Sequence, residues 1–263
     1  MIWVLFRFLF KPWSQILNHE FLTELRLRKI SNASHQHDSG SVNINGERYF
    51  YHHAASFCNQ FREIFFKQIY LFQTTNPSPV IIDGGANMGL AVRFWKKHFP
   101  MAQITAIEPD EEIFRVLTKN TDFCSDNVEL IRAMLWSEAG EADFSPDGMQ
   151  GGRGGSGNIS VKCILLSDLL RQKDEVDLLK LDIEGAEFDV LEEASEYLRK
   201  CKNIFIEYHS FEKGLESLNQ ILALLVSKGF SFIVSGESWN KPFLETFPDR
   251  GMRYTLNIFA TRI

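Results

Sequence analysis

From residue 80 onward, short apolar runs of strand character alternate with amphipathic helical stretches, and this rhythm restricts the fold more than any other feature of the chain. The runs are VIID at 80–83, QITAIE at 103–108, VELIRAM at 128–134, VDLLKLDI at 176–183, NIFIEYH at 203–209, FSFIVS at 230–235 and YTLNIFAT at 254–261. Helices are expected between them at about 87–98 and 111–120. A third has Val190, Leu191, Ala194, Tyr197 and Leu198 on one face; a fourth uses Leu215, Leu218, Ile221, Leu222 and Leu225 and ends at Gly229. Such alternation implies an α/β fold with a mostly parallel sheet and helices on both faces. One segment departs from the rhythm: Glu141–Phe144 and Ile159–Ile164 flank SPDGMQGGRGGSGN, which reads as a hairpin insertion with its tip at Gly151–Gly157. A phosphate cradle there is poorly supported, because those glycines do not join a strand to a helix.

Upstream of residue 80 the pattern is different. Residues 54–72 read as an aromatic-rich helix, which TTNPSP at 74–79 terminates, since Pro77 and Pro79 cannot continue helical hydrogen bonding. The polar stretch 31–47 reads as a loop or hairpin, and His35, His37, His52 and His53 as solvated residues rather than metal ligands. Residues 1–75 are therefore taken as a helical and loop extension, and 76–263 as the catalytic domain. The opening MIWVLFRFLFKPW is short of the ~20 residues that span a bilayer and lacks a small-residue cleavage site. Two readings stand for it: a helix packed on the protein through Trp3, Phe6 and Phe10, or a segment at a membrane interface aided by Arg7, Lys11, Arg26, Arg28 and Lys29. The net charge of −6 argues against a nucleic-acid partner. Cys58, Cys124, Cys163 and Cys201 form no C-x-x-C pair, which suits a reducing cytoplasm; under the second reading the chain works at the inner face of the membrane.

The first strand runs into VIIDGGANMG at 80–89, a glycine turn with a carboxylate at its mouth. Gly84, Gly85 and Gly89 miss the Gly-x-Gly-x-x-Gly spacing of a dinucleotide site, and Asp83 puts negative charge where a pyrophosphate would lie. The residues do fit acid-x-Gly-x-Gly-x-Gly with Asn87 in the middle glycine position, a mild replacement because Asn tolerates left-handed backbone. S-adenosylmethionine (SAM) carries no phosphate. Asp83 can answer its ammonium, directly or through water, and the amides of the turn its carboxylate. Glu108, at the end of the second strand, can accept both ribose hydroxyls, although NAD would use it equally well. The bland alternative makes Asp83 and Glu108 strand-end acids that cap helices.

A second informative stretch, LKLDIEGAE at 179–187, delivers Asp182 and Glu184 to the end of an apolar strand, and a spacing of two puts both on one face. Glu207 and His209 repeat the arrangement on the following strand, so three carboxylates and an imidazole converge on one rim if the strands are neighbours. Methyl transfer to a hydroxyl needs its proton removed. His209 is expected to serve as base near neutrality, with Asp182 or Glu207 orienting it or taking the proton. Glu187 is read as part of the next helix's first turn. A divalent metal held by these carboxylates against a sugar diol is not favoured, because a histidine sits awkwardly in an all-oxygen site.

With FREIF at 61–65, VIIDGGANMGL at 80–90, FPMAQITAIEPD at 99–110, LLKLDIEGAEFDVL at 178–191 and IFIEYH at 204–209, the chain resembles the FkbM-type methyltransferases over most of residues 60–235. The resemblance implies the class I Rossmann-like fold, a seven-stranded sheet with an antiparallel last strand, and SAM-dependent O-methyl transfer yielding S-adenosylhomocysteine (SAH). It implies SAM contacts from Asp83, Gly84, Gly85, Ala86, Asn87, Gly89, Glu108 and Pro109, adenine-side contacts near Ala133 and Met134, and a methyl-side place for Asp182. The implied acceptor is a hydroxyl of a sugar, glycan or polyketide-like product, lipid-linked if residues 1–30 touch membrane. Trp239, Phe243 and Phe247 between the last two strands are packing residues or a surface for sugar rings. Two rivals remain: an NAD(P)-dependent oxidoreductase, against which the off-pattern glycines and the lack of a Tyr-x-x-x-Lys pair count, and a glycan- or membrane-binding scaffold without catalysis.

Overall fold

The structure, a computed structural model, describes residues 13–33, 39–144, 159–211, 217–236 and 252–262. The apolar N-terminal stretch through Lys11, His35, His37, the glycine loop tip at 151–157, Leu215 and the aromatics Trp239, Phe243 and Phe247 lie outside these residues. The chain divides into two compact units, residues 1–69 and 70–263.

In the first unit, helix α1 (Trp13–Ala33) precedes a hairpin of β1 (Gly40–Ile44) and β2 (Glu47–Tyr51). Asn45 and Gly46 join the strands with φ of 54° and 87°, the paired positive values that a two-residue turn needs to match strand twist. Helix α2 (Ala54–Phe61) follows, and the aromatic stretch does not continue as one helix to residue 72: a π-turn covers Arg62–Phe66. Tyr49 lies at the centre of this unit's core, with its ring against Phe57, Phe61 and Phe65. Arg62 donates to both oxygens of Glu24, at 2.9 and 3.2 Å, which ties the π-turn to α1.

The second unit is an α/β sandwich. Its strands are β3 (Val80–Gly84), β4 (Gln103–Ile107), β5 (Val128–Ile131), β6 (Met134–Leu135), β7 (Gly140–Phe144), β8 (Ile159–Ile164), β9 (Val176–Leu181), β10 (Cys201–Phe211), β11 (Phe230–Gly236) and β12 (Met252–Arg262). Its helices are α3 (Leu90–His98), α4 (Glu111–Thr121), α5 (Leu166–Arg171), α6 (Glu187–Glu193) and α7 (Leu218–Ser227). Seven strands form one sheet in the order β11-β12-β10-β9-β3-β4-β5. All pairs from β10 to β5 are parallel; the last strand, β12, runs antiparallel to both β10 and β11. Every residue of β9 is buried, including the charged Asp177 and Lys180, as a strand covered on both faces requires.

VELIRAM does not form one strand. β5 ends at Ile131, the Ala133 amide turns back to the Ile131 carbonyl, and Met134–Leu135 pairs in parallel with β8 in a separate three-stranded sheet. In that sheet β7 pairs antiparallel with β8, the two arms of the expected hairpin insertion. Chain order runs outward from β3 to β5 on one side and from β9 to β10 on the other. The reversal falls between β3 and β9, where open α/β sheets bind ligands beyond the strand ends.

Candidate active site

β3 ends in the glycine turn, whose backbone takes left-handed values at Gly85 (φ 77°), Asn87 (φ 48°) and Gly89 (φ 78°). Asn87 thus stands where a glycine could, as expected. A Cβ on Gly85 would lie 1.8 Å from the Asp182 carbonyl oxygen, so this glycine lets the turn touch the end of β9. The amides, however, do not form an anion cradle. Gly85 and Ala86 both donate to the Ile107 carbonyl, at 3.0 and 2.9 Å, and Gly89 to that of Ala86 at 2.9 Å. The Asn87 amide donates to Glu108 at 3.0 Å, and that of Met88 to the Asn87 side chain at 2.8 Å. The expectation that turn amides answer the SAM carboxylate is corrected here: from Gly85 to Gly89 they are already satisfied within the protein.

Asp83 is fully buried, and the sheet register sets it opposite Lys180 on β9. Lys180 Nζ lies 3.0 Å from Asp83 Oδ1 and 3.6 Å from Asp182 Oδ2, and donates to the Gly85 carbonyl at 2.8 Å. Burial works against the ammonium, but Asp83 and then Asp182 outweigh it and hold Lys180 above its ordinary value. Burial likewise lifts the Asp83 carboxyl against the pull of Lys180. The ammonium sits at ion-pair range but off the hydrogen-bonding direction, and neither Asp83 oxygen accepts a hydrogen bond from a described residue. Such a carboxylate suits a cation better than an anion, and Lys180 stands beside it as one.

Glu108, also buried, accepts from the Asn87 amide through Oε2 and from the Asp110 amide through Oε1, the latter at 2.9 Å. Burial raises its pKa to about 7, against those two hydrogen bonds. Each oxygen keeps a second lone pair, which is what a ribose diol requires. Asp110, next but one, caps α4 by accepting from the amides of Glu112 and Ile113. Pro109 between them is partly exposed, while Ala133 and Met134 are buried between β5 and β6.

At the ends of β9 and β10 the expected convergence is present. His209 Nε2 lies 3.6 Å from Glu184 Oε2, 3.9 Å from Asp182 Oδ1 and 3.9 Å from Glu207 Oε1. Its Nδ1 is 2.8 Å from Oε1 of Glu187, which also accepts from the Gly185 amide at 3.0 Å. Glu187 does open α6, but its buried carboxylate fixes the imidazole as well. A His209 that is a free base near neutrality is not what this arrangement gives. Burial alone would lower its pKa, but the hydrogen bond and charge of Glu187, with Glu184 and Asp182, raise it to about 10.

Lys180 and Glu187 were the residues that sequence reasoning passed over. A signal existed for each: Lys180 interrupts an apolar run two positions before Asp182, hence on its face of the strand, and Glu187 is a third acid, three positions after Glu184 in the first turn of the following helix.

The seven-stranded order and the site at its reversal define a class I methyltransferase. The family model for the FkbM methyltransferase domain matches residues 83–232, and the chain belongs to that family of methyltransferases. Methyltransferase sdnD of Sordaria araneosa is 27% identical over 220 residues, 68% of this chain and 84% of that protein. The 2-O-methyltransferase NoeI of Sinorhizobium fredii is 30% identical over 177 residues, 57% of this chain and 72% of its own length. The crystal structure of methyltransferase FkbM from Methylobacillus flagellatus superposes with a TM-score of 0.51 at 17% identity, covering 76% of this chain. The present chain spans 47% of that solved chain, and the likeness is one of fold.

Proposed function

We propose that the enzyme transfers a methyl group from SAM to a hydroxyl of a sugar, glycan or related natural product. The observation that carries this reading is the continuity of the site: Glu108 holds the Asn87 amide on one side of the turn, and the Gly85 backbone touches Asp182 on the other. A nucleoside-binding acid and an acid-rich rim thereby share one support. Bound SAM supplies a sulfonium methyl open to attack by an oxygen nucleophile. Glu108 accepts the ribose hydroxyls, Asp83 answers the ammonium through water, Pro109 lies beside the ribose acid, and Ala133 and Met134 bound the adenine side. Asp182 and Glu207 are the proton acceptors for the attacking hydroxyl, with Glu184 at the outer edge. His209, held by Glu187, orients them rather than acting as free base. The similarity to NoeI, a 2-O-methyltransferase, supports a hydroxyl acceptor.

Calorimetric titration with SAH and with NADH separates this reading from an oxidoreductase: heat with SAH is expected, and heat with NADH alone would end the proposal. Transfer of labelled methyl to glycans then reports the linkage. An ether survives mild alkali, whereas an ester, the product of a carboxyl acceptor, releases methanol.

The acceptor is proposed to be lipid-linked, with the enzyme at the cytoplasmic face of a membrane. On α1, exposed Phe21, Leu22 and Leu25 lie close to exposed Arg26, Arg28 and Lys29, the mixture that suits an anionic interface. Among the described residues no helix is long and apolar enough to cross a membrane. Flotation with anionic vesicles tests this, and a chain that stays at the bottom of the gradient contradicts it.

A further inference from the structure

We infer that Asp182, Glu207 and His209 form a divalent-cation site, filled by an ion that takes mixed oxygen and nitrogen donors, Mn2+ being the probe of choice. The inference rests on the O-methyltransferase reading and extends it to an acceptor that offers two neighbouring hydroxyls. One oxygen or nitrogen from each of the three residues lies within 4.8 Å of the others. His209 Nε2 is 3.9 Å from both Asp182 Oδ1 and Glu207 Oε1. Bonds of about 2.1 Å place ligand atoms roughly 3.0 Å apart when adjacent and roughly 4.2 Å apart when opposite, so these separations need only a small adjustment.

Two further features point to an ion rather than to a chance gathering of acids. First, His209 Nδ1 is bound at 2.8 Å by Glu187, whose side chain is 1% exposed and stands outside the ligand set. A buried carboxylate on one imidazole nitrogen, with the other nitrogen aimed at oxygen donors, is the usual outer support of a metal-bound histidine, and the ion would take the place of the Nε2 proton that the surrounding carboxylates otherwise favour. Second, the two oxygens of Asp182 have separate surroundings, Oδ2 towards Lys180 at 3.6 Å and Oδ1 towards His209. Lys180 therefore steadies Asp182 while Oδ1 points into the cluster. A histidine beside carboxylates is awkward only for ions restricted to oxygen; first-row divalent ions accept both donors.

The cation would draw electron density from a coordinated hydroxyl. The acceptor oxygen would then form its bond to the methyl carbon as the carbon–sulfur bond breaks towards sulfur, giving SAH, and the hydroxyl proton would pass to the Glu207 oxygen not engaged by the ion.

The test uses the full chain, stripped with chelator and titrated with Mn2+ alone while the electron paramagnetic resonance signal of free Mn2+ is followed. One ion per chain is expected, with Asp182→Asn and Glu207→Gln each weakening binding at least tenfold while an unchanged melting temperature in the absence of metal reports an intact fold. Should one variant fail to fold, the other decides. A chain that binds SAH but no Mn2+ overturns the cation site and leaves the methyl-transfer reading standing. Mn2+ bound equally well by both folded variants overturns the assignment to these residues. A chain that binds Mn2+ but not SAH supports the cation site and removes the methyl-transfer reading beneath it.

Discussion

Glu108 is a carboxylate whose charge depends on pH within the physiological range. Burial raises its pKa to about 7 from an ordinary 4.5, and only the ionised form can accept from both ribose hydroxyls. SAH affinity measured by calorimetry should therefore fall as pH drops below about 7, approaching tenfold per pH unit. For folding the sign is reversed. A raised carboxyl pKa contributes stability that is present below the unfolded value of 4.5 and lost as pH rises through about 7, so Glu108→Gln should flatten that part of the thermal stability curve. An SAH affinity that is flat between pH 6 and 8 would remove Glu108 from the ribose. Lys180 makes the other residue-scale case. Lys180→Met strands Asp83 without its counter-charge and should cost about 3–5 kcal/mol by denaturant unfolding. Adding Asp83→Asn should recover much of that loss, and simple additivity of the two would mean that the pair is not coupled. The spacing of two made Asp182 and Glu184 legible, and Glu207 and His209 with them. It could not show that Asp83 faces Lys180, because that depends on how β3 and β9 pair, nor that Glu187 returns from a helix to hold an imidazole.

The glycine turn was legible as an element and misread in its chemistry. Its residue types fixed the path, left-handed at Gly85, Asn87 and Gly89, but the partners of the Gly85, Ala86 and Asn87 amides come from Ile107 and Glu108 on the neighbouring strand and just beyond it, which no local pattern reveals. The glycines serve close packing: a Cβ on Gly85 meets the Asp182 backbone, and one on Gly89 comes within 2.7 Å of the Leu117 side chain. Gly85→Ala should accordingly lower stability by about 1–3 kcal/mol through overpacking, with more from the positive φ. It should also weaken SAH and Mn2+ together, because the turn and the end of β9 move apart as one support. Loss of SAH affinity with unchanged Mn2+ affinity would show that the two halves of the site are independent. Two other elements departed from their sequence patterns for tertiary reasons. VELIRAM reads as one strand, yet Arg132 and Ala133 carry the chain from one sheet to another. The aromatic helix ends at Phe61 because the chain loosens into a π-turn whose Arg62 is drawn to Glu24, a residue 38 positions away.

At the scale of the molecule, the alternation of runs was enough to give a parallel sheet, and the antiparallel sense of the last strand followed from the family resemblance, while its place between β10 and β11 had no signal in the sequence. The residues proposed for SAM and for the acceptor rim, from Asp83 to His209, all belong to the unit of residues 70–263. Its buried cluster runs from Ile82 through Leu179 and Ile206 to Ala260. A polypeptide of residues 70–263 should therefore fold and bind SAH within roughly threefold of the full chain, a difference of about 0.7 kcal/mol. On the proposal that the N-terminal extension contacts the acceptor or a membrane, methyl transfer to a glycan should fall much further. Measuring SAH binding and turnover on the same preparation separates the two effects. A shortened chain that folds, binds SAH and turns over acceptor at the full rate would leave the first unit without a part in the reaction, and one that folds but loses SAH would move cofactor recognition out of the sheet's reversal point.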